Sequence, residues 1–119
     1  MAVQFTSLEH GFSLDDPERA FQFHTTPDGV ALTFTDWRNI ERSLTFTPVY
    51  FFSFGFCPPY PELPEASFLR VEDSERIRVL RETRMVGETE LLQHFVISTN
   101  EDEWCEIVAG TFAATSRQP

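Results

Sequence analysis

Residues 44–60, LTFTPVYFFSFGFCPPY, place Leu44, Phe46, Tyr50, Phe52, Phe54 and Phe56 at alternate positions, with Thr45, Thr47, Ser53 and Gly55 between them. Alternate side chains of an extended chain point to opposite faces, so this run reads as a strand. One face is a ladder of large apolar groups that something else must cover, and the other is small, polar and wet. The chain holds 13 Phe in 119 residues. Phe buries a large area without needing a hydrogen-bond partner, so most of these rings read as core.

Turn residues divide the stretch before the ladder. Thr26-Pro27-Asp28-Gly29 has a preset first torsion at Pro and a Gly free to take a left-handed position. It therefore predicts a hairpin with arms 21–25 and 30–35, in which Phe21 and Phe23 face inward with Val30, Leu32 and Phe34. His24 then points outward, and a short strand is expected at 3–8. Trp37 lies on the polar phase of its strand, as a rim residue or as part of an exposed contact patch.

After the ladder, Pro58, Pro59, Pro61 and Pro64 rule out a helix interior or a central strand, and predict a stiff surface crossover. Extended structure resumes at 68–71. Asp73 or Ser74 can then cap an amphipathic helix near residues 74–85, in which Ile77 and Leu80 share a face. The alternation Arg76-Ile77-Arg78-Val79 leaves a strand as the rival. Residues 91–99 and 104–112 form a second predicted hairpin around Asn100-Glu101-Asp102-Glu103, with the chain fraying from about 114 to 119. These elements predict one domain over 1–119. Its class is α+β, a mainly antiparallel, meander-like sheet with one short helix packed on one side.

Nineteen acidic residues against nine basic ones give a net charge of −10, and every basic residue is Arg. Long-range repulsion disfavours nucleic acid and anionic membrane surfaces and favours a basic protein partner. Cys57 and Cys105 lie in no metal-ligand spacing and read as free thiols, and no leader or membrane-spanning run is evident, so a cytoplasmic protein is expected. Neither a cofactor nor a metal site is indicated, because phosphate loops, nucleophile elbows and zinc patterns are absent. The chain therefore leans away from enzymatic activity.

Two candidate sites follow. His94 and Cys105, with Glu106, face each other if the second hairpin pairs about residues 100–102, and a thiol beside an imidazole can act as a nucleophile. Both also fit a structural role in core-like strands. Glu101, Asp102 and Glu103, followed by Trp104, project acidic charge and an aromatic anchor at a hairpin tip, where with Trp37 they would serve a basic partner.

The run Val71-Glu72-Asp73-Ser74, then His94-Phe95-Val96-Ile97-Ser98-Thr99-Asn100-Glu101-Asp102 and Glu106-Ile107-Val108-Ala109, resembles the C-terminal half of a group of small bacterial single-domain proteins of uncharacterised function. Some of these are similar to immunity proteins of polymorphic toxin systems. The resemblance covers roughly residues 66–110 and implies partner binding without catalytic residues. Two further readings use the aromatic ladder differently: as the lining of a ligand pocket in a small binding protein or enzyme, or as the interface of a homo-oligomer.

Overall fold

The turn at Thr26-Pro27-Asp28-Gly29 closes where the sequence places it, between strands β2 (Arg19–Thr25) and β3 (Val30–Thr35). The Thr26 N–H donates to the Gly29 carbonyl at 2.8 Å, and the Gly29 N–H donates to Thr26 Oγ1 at 2.9 Å. A Cβ on Gly29 would stand 1.8 Å from the Phe46 carbonyl oxygen, so close backbone approach requires glycine here. The computed structural model describes residues 4–8, 13–56, 60, 63–83, 87, 90–101 and 103–117. Its remaining elements are β1 (Gln4–Ser7), β4 (Glu41–Gly55), β5 (Phe68–Glu72), α1 (Glu75–Glu82), β6 (Gln93–Ser98) and β7 (Trp104–Arg117).

The seven strands form a single sheet in the order β1-β5-β6-β7-β4-β3-β2, with every neighbouring pair antiparallel. This corrects the expected α+β class: 57% of the described residues are strand and 8% helix, a mainly-β fold. The reason is that the sheet covers itself, leaving the helix little to cover. Helix α1 buries none of its residues fully: Ile77 and Leu80 pack in a cluster with Tyr50, Phe51, Leu92 and Val108, and the Arg76 guanidinium lies 4.0 Å from the Phe51 ring centroid. The helix itself forms as capping chemistry predicts, with Ser74 Oγ accepting the Ile77 N–H at 3.1 Å.

Strand β4 bends the sheet. Leu44 and Phe46 lie in the main core with Leu32, Phe34, Phe95, Ile97 and Ile107. Pairing with β7 then becomes irregular between Val49 and Phe51, which inserts an extra residue and deflects the strand. Tyr50 and Phe51 fall on the opposite face, under α1, while Phe52 returns to the margin of the main core. The bend carries the far end of β4 over β2, although β3 separates the two strands along the sheet. The Phe23 ring thus stands 4.9 Å from Phe52 and 4.8 Å from Phe54, centroid to centroid. The inward ladder expected from 44 to 56 is therefore broken at Tyr50, and its last two rungs emerge into solvent: Phe54 is 64% and Phe56 75% exposed.

The segment before β2 fastens this curl to the β6–β7 hairpin. Asn100 Oδ1 accepts the Asp16 N–H at 2.8 Å, Asn100 Nδ2 donates to Asp16 Oδ1 at 3.0 Å, and Leu14 is buried in the main core. At the β3–β4 turn, buried Asp36 accepts the N–H groups of Arg38 and Ile40 through Oδ1, and the Arg42 Nε–H at 2.9 Å through Oδ2. Burial pushes the Asp36 carboxyl up, but these donors and the Arg42 charge outweigh it and hold the group below its ordinary range. The small residues of 113–116, expected to fray, continue β7, which pairs with β4 as far as Arg117 opposite Glu41. The length of β4 supplies that ladder with partners.

Candidate functional site

The β6–β7 hairpin places His94 and Glu106 on one face, as diagonal neighbours: His94 stands opposite Val108, and Glu106 opposite Val96. His94 is 0% exposed, with Nε2 2.5 Å from Glu106 Oε1 and Nδ1 2.6 Å from Ser74 Oγ. The Tyr60 hydroxyl donates to the same Glu106 oxygen at 3.2 Å. With its proton on Nε2, the imidazole donates to Glu106 and accepts from the Ser74 hydroxyl, whose oxygen in turn caps α1, so each group is matched. Burial disfavours the Glu106 charge, but the His94 and Tyr60 hydrogen bonds and the nearby Arg76 charge prevail and lower its pKa. A serine, an imidazole and a carboxylate in line have the composition of a nucleophilic relay. Here the imidazole has no exposed atom through which to reach a leaving group, and the serine oxygen is committed to the helix. The arrangement works as a clamp holding the first turn of α1 on the sheet.

Cys105 does not join it. The thiol lies in the main core on the opposite face of β7, across from Ile97, and burial together with the Glu106 charge raises its pKa far above the ordinary thiol value. A thiol so placed is a small core group with negligible thiolate. Among the described residues, no three His, Cys, Asp or Glu side chains gather as a metal site. In the same residues no helix is long and apolar enough to cross a membrane.

The acidic hairpin tip is partly drawn into the fold. Glu101 is exposed, whereas Glu103 is half-buried and its Oε2 accepts the Phe21 N–H at 3.0 Å. Trp104 is only 6% exposed and packs with Leu63, Leu69, Val71 and Val96. Asp102, like His10 and Cys57, lies outside the described residues. Trp37 is 50% exposed in the β3–β4 turn, with the Arg38 guanidinium 4.8 Å from its ring centroid.

Around Glu103 the structure brings together residues that the alternation pattern treats as core. Phe21 and Phe23 of β2, Phe54 of β4 with Phe56 just past its end, and Glu103 just before β7 with Trp104 at its start line a groove of about 510 Å³. A smaller hollow of about 300 Å³ shares Phe54, Phe56 and Trp104 with it and reaches Glu106. A wider cleft of about 870 Å³ runs between α1 and strands β5 and β6, lined by both acidic and basic side chains. The rim groove combines exposed rings with one half-buried carboxylate. Burial, assisted by the Glu101 charge, raises the Glu103 pKa against the opposing effect of the Phe21 hydrogen bond. Only Gly55 and the following prolines hint in the sequence that the ladder leaves the core at Phe54.

No family model, curated protein or solved structure matches the chain.

Proposed function

We propose that this protein is a small acidic binding protein that masks a basic surface of a protein partner in the cytoplasm, in the manner of an immunity factor. The observation that carries the reading is the rim formed by Phe54 and Phe56, two large rings at 64% and 75% exposure beside the half-buried Glu103. Adjacent exposed rings of this size are costly to leave in water and supply the anchors on which protein interfaces concentrate their energy. A net charge of −10 adds attraction to a basic surface and opposes self-association of like copies. The resemblance of residues 66–110 to immunity-like proteins agrees with partner binding.

The test is affinity capture from the native cytoplasm with the wild-type chain and a Phe54→Ser/Phe56→Ser variant. The reading expects a basic protein to be retained by the wild type, lost with the variant, and released as salt rises towards about 1 M, where screening falls to ~3 Å. Recovery indifferent to both the two rings and the salt would sink it.

A further inference from the structure

We infer that the groove between β2 and the end of β4 is a receptor for an arginine side chain of the partner, with the guanidinium stacked on the Phe rings and paired with Glu103. This rests on the reading above and names the chemistry of its central contact.

Three observations converge on that occupant. The walls are aromatic: Phe21 and Phe23 of β2, Phe54 of β4 and Phe56 just beyond it contribute rings, and ring faces attract cations. A carboxylate lies among them. Glu103 spends a hydrogen bond on the Phe21 N–H through Oε2, and a carboxylate has more acceptor positions than that contact uses. The volume, about 510 Å³, accommodates a long side chain with the backbone on either side of it.

Arginine suits this combination better than lysine. A planar guanidinium stacks on a ring while its edge presents a fork of N–H donors to a carboxylate, and it gives up its hydration more readily than an ammonium. Glu103 is also placed to benefit from such a guest, since partial burial and the neighbouring Glu101 both disfavour its charge in the free protein. Arriving with the partner, a guanidinium would offset both effects.

The test is a resonance-by-resonance NMR titration of the full chain with the capped tripeptide Gly-Arg-Gly, alongside matched peptides carrying lysine, trimethyl-lysine or citrulline. The arginine peptide is expected to shift the amide signals of Phe21, Phe54, Gly55 and Glu103. Citrulline, which keeps the shape and loses the charge, should bind at least about tenfold more weakly, the scale of a lost charge-assisted hydrogen bond. Glu103→Gln should weaken the arginine peptide by a similar factor; it retains an oxygen for the Phe21 N–H, so the fold is preserved. Phe56→Ala, at a largely exposed site, provides a second variant and should also weaken binding.

Absence of shifts at the groove, equal binding of citrulline, preference for trimethyl-lysine, or an unchanged Glu103→Gln affinity would each overturn the arginine assignment. So would concentration-dependent shifts of the same signals without peptide, which would mark the groove as a contact between two copies. The two proposals fail separately. Rim-dependent capture of a basic partner without an arginine response removes only the occupant. A response to arginine with capture indifferent to Phe54 and Phe56 removes the masking reading.

Discussion

Phe46 and Phe54 occupy equivalent positions in the alternation of one strand, yet truncating them should have very different costs. Phe46 is fully buried, with ring centroids of Phe95 at 5.3 Å and of Phe68 and Phe112 at 6.4 Å each. Those neighbours sit on three other strands whose backbones are held in register, so the cavity left by Phe46→Ala cannot easily collapse. The cost should lie in the upper part of about 3–5 kcal/mol. That is a large share of the roughly 5–15 kcal/mol by which domains of this kind are stable. Phe54 is 64% exposed and touches mainly the Phe23 and Phe52 rings. Burying about a third of a side chain stabilises by about 0.5–1 kcal/mol, and Phe54→Ala should lose about that much. Urea unfolding monitored by circular dichroism separates the two, because with a slope of roughly 1–3 kcal/mol per M the midpoints should differ by about 1 M or more. If the two variants unfold at the same midpoint, the emergence of β4 into solvent at Phe54 is wrong.

Three further perturbations test the rest of the structure. Ser74→Ala removes the cap of α1 and leaves His94 Nδ1 without its partner, which should together cost about 2–4 kcal/mol in thermal unfolding; a loss below about 0.5 kcal/mol would show that the clamp is not formed. Asp36 and Glu106 both have folded pKa values below the ordinary carboxylate range, so their stabilisation is present above that range and is lost as pH falls through the folded values. Melting temperatures taken from neutral to acid pH should fall less steeply in an Asp36→Asn/Glu106→Gln variant, and parallel curves would contradict the assignment. Gly29→Ala drives a Cβ against the Phe46 carbonyl and should destabilise by about 1–3 kcal/mol or more, read from the same urea experiment.

The candidate site was legible only in fragments. Net acidity, the hairpin tip at 100–103 and the positions of His94 and Glu106 could all be read along the chain, because charge and turn chemistry are local properties. The pairing of His94 with Ser74, rather than Cys105, could not. It depends on strand faces, which put Cys105 on the core side of β7, and on α1 folding back to bring Ser74 over β6. Trp104 likewise follows an acidic turn in sequence, but its phase on β7 sends it under Leu63 and Val71, away from solvent. The Phe23–Phe54 contact joins residues 31 positions apart on strands that are not neighbours in the sheet.

By itself, the sequence determined the elements. Period-two alternation specified the strands, Thr26-Pro27-Asp28-Gly29 and Asn100 to Glu103 specified two hairpins, and Asp73-Ser74 marked a possible helix start, since each signal acts through the backbone torsions of a few adjacent residues. The structure selects the helix over the rival strand and Ser74 as its cap. Tertiary structure decided how much of the fold the helix would cover and where the aromatic ladder would leave the core. Both follow from the irregular pairing of β4 between Val49 and Phe51. That bend curls the sheet onto its own Phe face, reduces α1 to a patch over Tyr50 and Phe51, and turns the last rungs, Phe54 and Phe56, into a rim around Glu103.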